Sequence, residues 1–101
     1  MTHGIDTDFM VASEITDHPF HQQADTLLRE LIMQGHDFAL APQTLAEFIH
    51  IVTDARRMPQ PLTMAQSINH AEHWWESKEV IHVFPSNHAT VDFFQWLRHH
   101  Q

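Results

Sequence analysis

The sequence contains no cysteine, which excludes disulfide bonds, thiolate metal sites and cysteine nucleophiles. Only five lysines and arginines stand against thirteen acidic residues, which gives a net charge of -8. This balance excludes broad neutralisation of nucleic-acid phosphates, but not contact with RNA through a bound metal. No apolar run approaches the roughly 20 residues of a membrane span, and the chain opens without the pattern of a secretory signal. We therefore expect a cytoplasmic protein with no membrane partner.

The residues that are present predict one α/β domain over residues 1–101. A chain of 101 residues that is 43% apolar suffices for one hydrophobic core. Short apolar segments predict strands over residues 2–5, 37–41 and 80–84. Helical periodicity predicts helices over residues 8–14, 19–35, 43–54 and 63–77, and a last one from residue 87 onward. This order is typical of a parallel sheet of about three strands with helical crossovers.

Local signals set the ends of several of these helices. Pro19 suits the first position of a helix, where its missing N–H costs nothing. Gly35 predicts a left-handed helix cap, and Thr63 with Gln66 predicts a capping box. The helix that follows is expected to bury one apolar face, made of Met64, Ile68, Ala71 and Trp75.

Two carboxylates follow the first predicted strand. Asp6 falls at its carboxyl end, where open α/β sheets bind ligands, and Asp8 follows two residues later. Crowded carboxylates repel each other unless a cation neutralises them, so the pair suits Mg²⁺ or Mn²⁺. Alternatively, Asp6 or Asp8 caps the next helix.

Further polar groups allow two interpretations each. Glu47, His50 and Asp54 lie on the polar stripe of one predicted helix. This stripe is either part of an active site or an ordinary solvated helix face. The basic pair Arg56 and Arg57 is either an RNA contact or a pair of solvated loop charges. Another pair, His70 and His73, could bind a metal together, but two imidazoles need further ligands.

Three segments together resemble the PIN domain, and most closely the VapC-like toxins of type II toxin-antitoxin systems. They are GIDTDFMVA, DFALAPQTLAEFIHIVTDARRMPQPLT and VIHVFPSNHATVDFFQWLRHH, and they cover most of the chain in the family's order. The resemblance implies a three-layer α/β/α fold and a Mg²⁺- or Mn²⁺-dependent endoribonuclease, with RNA as substrate and a cognate antitoxin as partner.

The resemblance also assigns roles to residues. It implies that Asp6 and Glu47 are the catalytic, metal-binding acids, that Thr7 fills the family's small hydroxyl position and that Asp8 assists at the metal. Arg56 and Arg57 would guide RNA.

One departure from the family pattern concerns the end of the chain. The family supplies a third acid and two more strands beyond the region that matches residues 87–101, and Asp92 does not take that acid's place. We therefore expect a PIN-like domain that lacks its C-terminal portion, with impaired activity. An exposed edge on the first strand would favour a homo-oligomer. The alternative function is a non-catalytic module for dimerisation or antitoxin binding.

Overall fold

The computed structural model describes residues 1–84. Three strands and four helices succeed one another in these residues. They are β1 (Thr2–Gly4), α1 (Thr7–Glu14), α2 (His21–Met33), β2 (Asp37–Leu40), α3 (Pro42–Val52), α4 (Met64–Glu76) and β3 (Val80–His82).

The three strands form one parallel sheet in the order β1-β2-β3. Thr2 pairs with Asp37 and Gly4 with Ala39, while Phe38 pairs with Val80. The predicted α/β class and the three-stranded parallel sheet are confirmed. Within residues 1–84, β1 lies at one edge of this sheet and β3 at the other.

The hydrophobic core lies on one face of the sheet. Ile5, Phe38 and Leu40 point to this face and are buried, because alternate side chains of neighbouring strands share a side. Right-handed crossovers that advance in one direction along a sheet also lie on a single face. The core is completed from the helices by Met10, Val11, Phe48, Val52 and Trp74. On the opposite face Gly4 and Ile81 are exposed. The helix predicted from residue 87 lies outside the described residues.

The helix ends confirm two local predictions and correct one. Gly35 has a φ of 82°, and Thr63 and Gln66 exchange both hydrogen bonds of a capping box. The prediction that Pro19 begins α2 was wrong, because the helix begins at His21. A turn precedes it, in which the Phe20 N–H donates to the imidazole of His18 over 3.0 Å. All three strands are shorter than predicted.

The buried face of α4 also differs from the prediction. Ser67, Ala71 and Trp74 are buried there, whereas Met64 is 56% exposed and Ile68 39% exposed. The helix is therefore rotated so that the first tryptophan of the adjacent pair enters the core. Trp75 instead stacks on His82 of β3, with ring centroids 3.5 Å apart.

None of the helices within residues 1–84 has the length and apolarity needed to cross a bilayer.

Candidate active site

Asp6 ends the β1 segment and caps α1. Its Oδ1 accepts a hydrogen bond from the Phe9 N–H over 2.8 Å, so the helix-cap interpretation is confirmed for this residue. The bond uses one carboxylate oxygen, and Asp6 itself lies at an exposed position. Asp8 lies in the first turn of α1 and is also exposed. Both negative charges are favourable at the positive end of the helix dipole.

A hydrogen bond joins this end of β1 to α3. Thr7 Oγ1 donates to Glu47 Oε2 over 2.7 Å, although the two residues are 40 positions apart. Glu47 is therefore held against the residue that follows Asp6. This contact depends on the core packing of α1 on α3, in which Met10 and Phe48 are both fully buried. The two acids predicted for one site, Asp6 and Glu47, thus belong to the start of α1 and to α3, which pack on each other.

Two open clefts adjoin these acids, and Arg57 lines both. The larger, of about 790 Å³, has Asp6 and Asp8 in its wall together with His18 and the apolar side chains Phe9, Phe20, Leu27 and Met58. The smaller, of about 400 Å³, is lined by Glu47, His50 and Arg57. The site therefore combines carboxylates, one guanidinium and an apolar wall. Arg56 is absent from the lining of both clefts and is 89% exposed.

Asp54 anchors the basic pair after α3. Its Oδ1 accepts hydrogen bonds from the Arg56 backbone N–H over 2.9 Å and from Arg56 Nε over 3.3 Å. Arg57 Nε lies 3.5 Å from the other carboxylate oxygen. The bond from the Arg56 backbone N–H, with the two guanidinium groups, holds the pKa of Asp54 below its ordinary value. Asp54 is thus an acceptor for the loop that positions Arg57.

Thr7 contacts Glu47, and Asp6 and Asp8 are its neighbours in the chain, but the described residues complete no metal cage. Within residues 1–84 there is no group of three or more histidine and acidic side chains arranged to hold an ion. His50 shares the smaller cleft with Glu47, so two members of the predicted polar stripe reach the site. The third, Asp54, is engaged by the arginines.

A second cluster, formed around the single acid Glu14, lies at the other end of α1. It was not predicted from the sequence. Glu14 accepts hydrogen bonds from His70 Nδ1 over 2.5 Å and from Trp74 Nε1. The hypothesis that His70 and His73 bind a metal together gains no support, because His70 turns its Nδ1 to Glu14. No local sequence pattern marks this cluster, because His70 and Trp74 lie 56 and 60 residues after Glu14.

No protein-family model matches the chain, and no curated protein matches it. The inference of function therefore depends on the side chains at the place where the residues that follow β1 contact α3.

Proposed function

We propose that the chain is a PIN-like, VapC-type endoribonuclease that depends on Mg²⁺ or Mn²⁺ and acts in the cytoplasm. Asp6 and Glu47 are the catalytic acids that bind the metal, and Asp8 assists through a hydrogen bond or a water. The hydrogen bond from Thr7 Oγ1 to Glu47 Oε2 carries the proposal, because it joins the end of β1 to α3 at one site.

The groups available to bind a metal are carboxylate oxygens, which are the type of ligand that a hard divalent cation prefers. Asp6 and Glu47 each use one carboxylate oxygen in a protein hydrogen bond, which leaves the second oxygen of each as a ligand. Mg²⁺ is often held by only one or two carboxylates and keeps several waters. With Asp6 and Glu47 as the direct ligands and Asp8 acting through a hydrogen bond or a water, the site suits a weakly held ion. When bound, such an ion supplies an activated water for attack on a phosphodiester.

The remaining site residues position the acids and the RNA. Thr7 fixes the orientation of the Glu47 carboxylate. Arg57 lines both clefts, so its guanidinium can contact a phosphate of an RNA bound in either of them. Arg56 is more exposed and adds only a local positive charge to an otherwise acidic chain. We therefore expect RNA binding to depend more on Arg57 than on Arg56.

Cleavage of total RNA with added Mn²⁺ tests the proposal. The variants are Asp6→Asn, which keeps a good helix cap, and Glu47→Gln, which keeps an acceptor for Thr7. Each should lower Mn²⁺-dependent cleavage by about 100-fold or more, since each removes a charged metal ligand. Glu72→Gln, at an exposed position of α4, is the matched control and should cleave like the parent chain.

Equal cleavage by all four proteins would identify a contaminating nuclease and contradict the proposal. Absence of cleavage in all four would favour the second candidate function.

That second candidate is a non-catalytic PIN-like module for dimerisation or antitoxin binding. It is favoured by a groove of about 210 Å³ beside the β1 edge, lined by apolar side chains that include Phe9, Leu27 and Phe38. Leu27 is 47% exposed, and an uncovered strand edge next to apolar surface invites another chain. Sedimentation should then show an oligomer that Leu27→Glu dissociates, whereas a compact monomer at micromolar concentration would oppose this candidate.

A further inference from the structure

Two histidines far apart in sequence meet at the edge of the sheet. His3 Nε2 lies 3.0 Å from His36 Nδ1, and the two ring centroids are 4.9 Å apart with the rings inclined by 39°. Hydrogen bonding at this distance means that one nitrogen carries a proton and the other offers its lone pair. Both side chains are half-buried.

The strand register explains why these imidazoles share a side. His3 pairs with Phe38 on the neighbouring strand, and His36 lies two residues before Phe38. Alternation along the strands places all three side chains on the same face, and Thr2 and Asp37 on the other. The Phe38 ring lies beside His3 on this face, with the two ring centroids 6.0 Å apart.

We propose that His3 and His36 form a chelating site for a divalent transition-metal ion such as Zn²⁺, separate from the carboxylate site. Two nitrogens bound to one tetrahedral Zn²⁺ at 2.0–2.1 Å lie about 3.3 Å apart. The two nitrogens, now 3.0 Å apart, therefore have to separate by only a few tenths of an ångström, and each ring has to turn so that its lone pair points at the ion. Neutral imidazole is a preferred ligand of zinc, copper and nickel, whereas Mg²⁺ prefers oxygen.

Metal binding would conserve the protons of the pair. The imidazole that donates the hydrogen bond moves its proton to its other ring nitrogen, and both facing lone pairs then coordinate the ion. Residues 1–84 contain no third histidine or acidic side chain placed to join the pair. The remaining positions around the ion therefore take water or an external ligand.

The bound ion would link the edge strand to its neighbour. His3 belongs to β1, and His36 immediately precedes β2. An ion that binds the folded chain and not the unfolded one stabilises the fold by mass action. Saturating Zn²⁺ should thus raise the thermal unfolding midpoint.

The variants are chosen to keep the hydrogen bond and to remove the ligands. In His3→Gln the amide replaces Nε2, and in His36→Asn the amide replaces Nδ1, so the pair can still bond to each other. Thermal unfolding with and without Zn²⁺ should show a rise in the parent chain and no rise in the double variant. Calorimetric titration should show that each single substitution weakens the tightest Zn²⁺ site by roughly tenfold or more.

The chain has eleven histidines, so a matched control is required. His73→Gln changes an exposed histidine of α4 and should leave both the Zn²⁺ affinity and the thermal shift unchanged. Nuclear magnetic resonance of the imidazole nitrogens in the parent chain gives a second measurement that does not depend on a folded variant. The first equivalent of Zn²⁺ should shift His3 Nε2 and His36 Nδ1.

An equal thermal shift in the double variant and the parent chain would overturn the proposal. So would a first equivalent of Zn²⁺ that shifts other imidazoles and leaves these two unchanged. Either result is measured without RNA cleavage, so failure of this proposal can be distinguished from failure of the proposed function.

Discussion

The two ends of α1 both carry acids, yet the acids are used differently. At the first end Asp6 caps the helix through one oxygen, and Glu47 accepts from Thr7 through one oxygen. At the last end both oxygens of Glu14 accept hydrogen bonds, one from His70 and the other from Trp74. A carboxylate with both oxygens engaged by the protein contributes to structure. One with a free oxygen beside a cleft can bind a ligand.

Helix electrostatics sharpen this contrast. A negative charge is favourable at the first turn of a helix and unfavourable at the last, because of the helix dipole. Asp6 and Asp8 therefore need no compensation from other elements. Glu14 is the last residue of α1, and it is held by donors from α4. We infer that Glu14 links two helices, whereas the acids at the other end are free to serve a site.

The largest expected effect on stability is that of Glu14→Ala. The change leaves the indole N–H of Trp74, a residue only 5% exposed, without its acceptor and also removes the partner of His70. An unsatisfied buried donor costs about 1–3 kcal/mol, so we expect the free energy of unfolding in urea to fall by about 2 kcal/mol. RNA cleavage by the remaining folded protein should change little.

Glu76→Ala is the matched control, because Glu76 is likewise the last residue of its helix but is exposed. It should change stability by no more than about 0.5 kcal/mol. Equal losses of stability in the two variants would show that the Glu14 cluster does not link α1 to α4.

A smaller effect, on activity instead of stability, is expected for Thr7→Val. Valine keeps the shape of threonine but cannot donate to Glu47, so the acid that we propose as catalytic loses its orienting bond. Loss of such an orienting partner typically costs 10–100-fold, and we expect Mn²⁺-dependent cleavage to fall by about tenfold. The urea midpoint should barely move, because this hydrogen bond is exposed.

Thr7→Ser should restore cleavage, and Thr26→Val, at an exposed position of α2, should leave it unchanged. If Thr7→Val destabilised the chain as strongly as Glu14→Ala, the division between a structural and a functional end of α1 would be wrong.

The features that sequence predicted well are those set by near neighbours in the chain. Gly35 adopts its left-handed conformation, and Thr63 and Gln66 form their capping box, because a few adjacent residues determine both. The order of strands and helices followed from periodicity in the same way. The buried face of α4 could not be predicted so simply. Adjacent tryptophans satisfy the helical pattern equally, and the one that is buried, Trp74, packs in the core and donates to Glu14, which is 60 residues away.

The candidate site shows the same limit. The family resemblance assigned Asp6 and Glu47 to a metal site, but the contact between Thr7 and Glu47 depends on how α1 packs on α3. The His3 and His36 pair could not be identified without the strand register, since 33 residues separate them. Periodicity in the sequence predicts which face of a helix or strand is buried. The residues that this face contacts on other elements depend on how the sheet assembles.

The smallest expected effect concerns Asp54 in the loop after α3, and it depends on pH. The pKa of Asp54 is lowered, first by the hydrogen bond from the Arg56 backbone N–H and then by the two guanidinium groups. A carboxyl whose pKa is lower in the folded state stabilises the fold above its unfolded pKa of about 3.9, and this contribution disappears as pH falls through the lower folded pKa. Glu79, whose pKa is lowered by the hydroxyl of Ser77, acts with the same sign.

Urea unfolding of Asp54→Asn at several pH values measures this contribution. At neutral pH the variant should be slightly less stable than the parent chain, and the difference should shrink towards zero as the solution becomes more acidic than the folded pKa. Asp17→Asn, in the exposed turn before α2, should match the parent chain throughout. A difference that grows on acidification would reverse the sign of the argument. A loss at neutral pH as large as that of Glu14→Ala would mean that the exposed ion pairs of Asp54 contribute as much to stability as the buried contacts of Glu14.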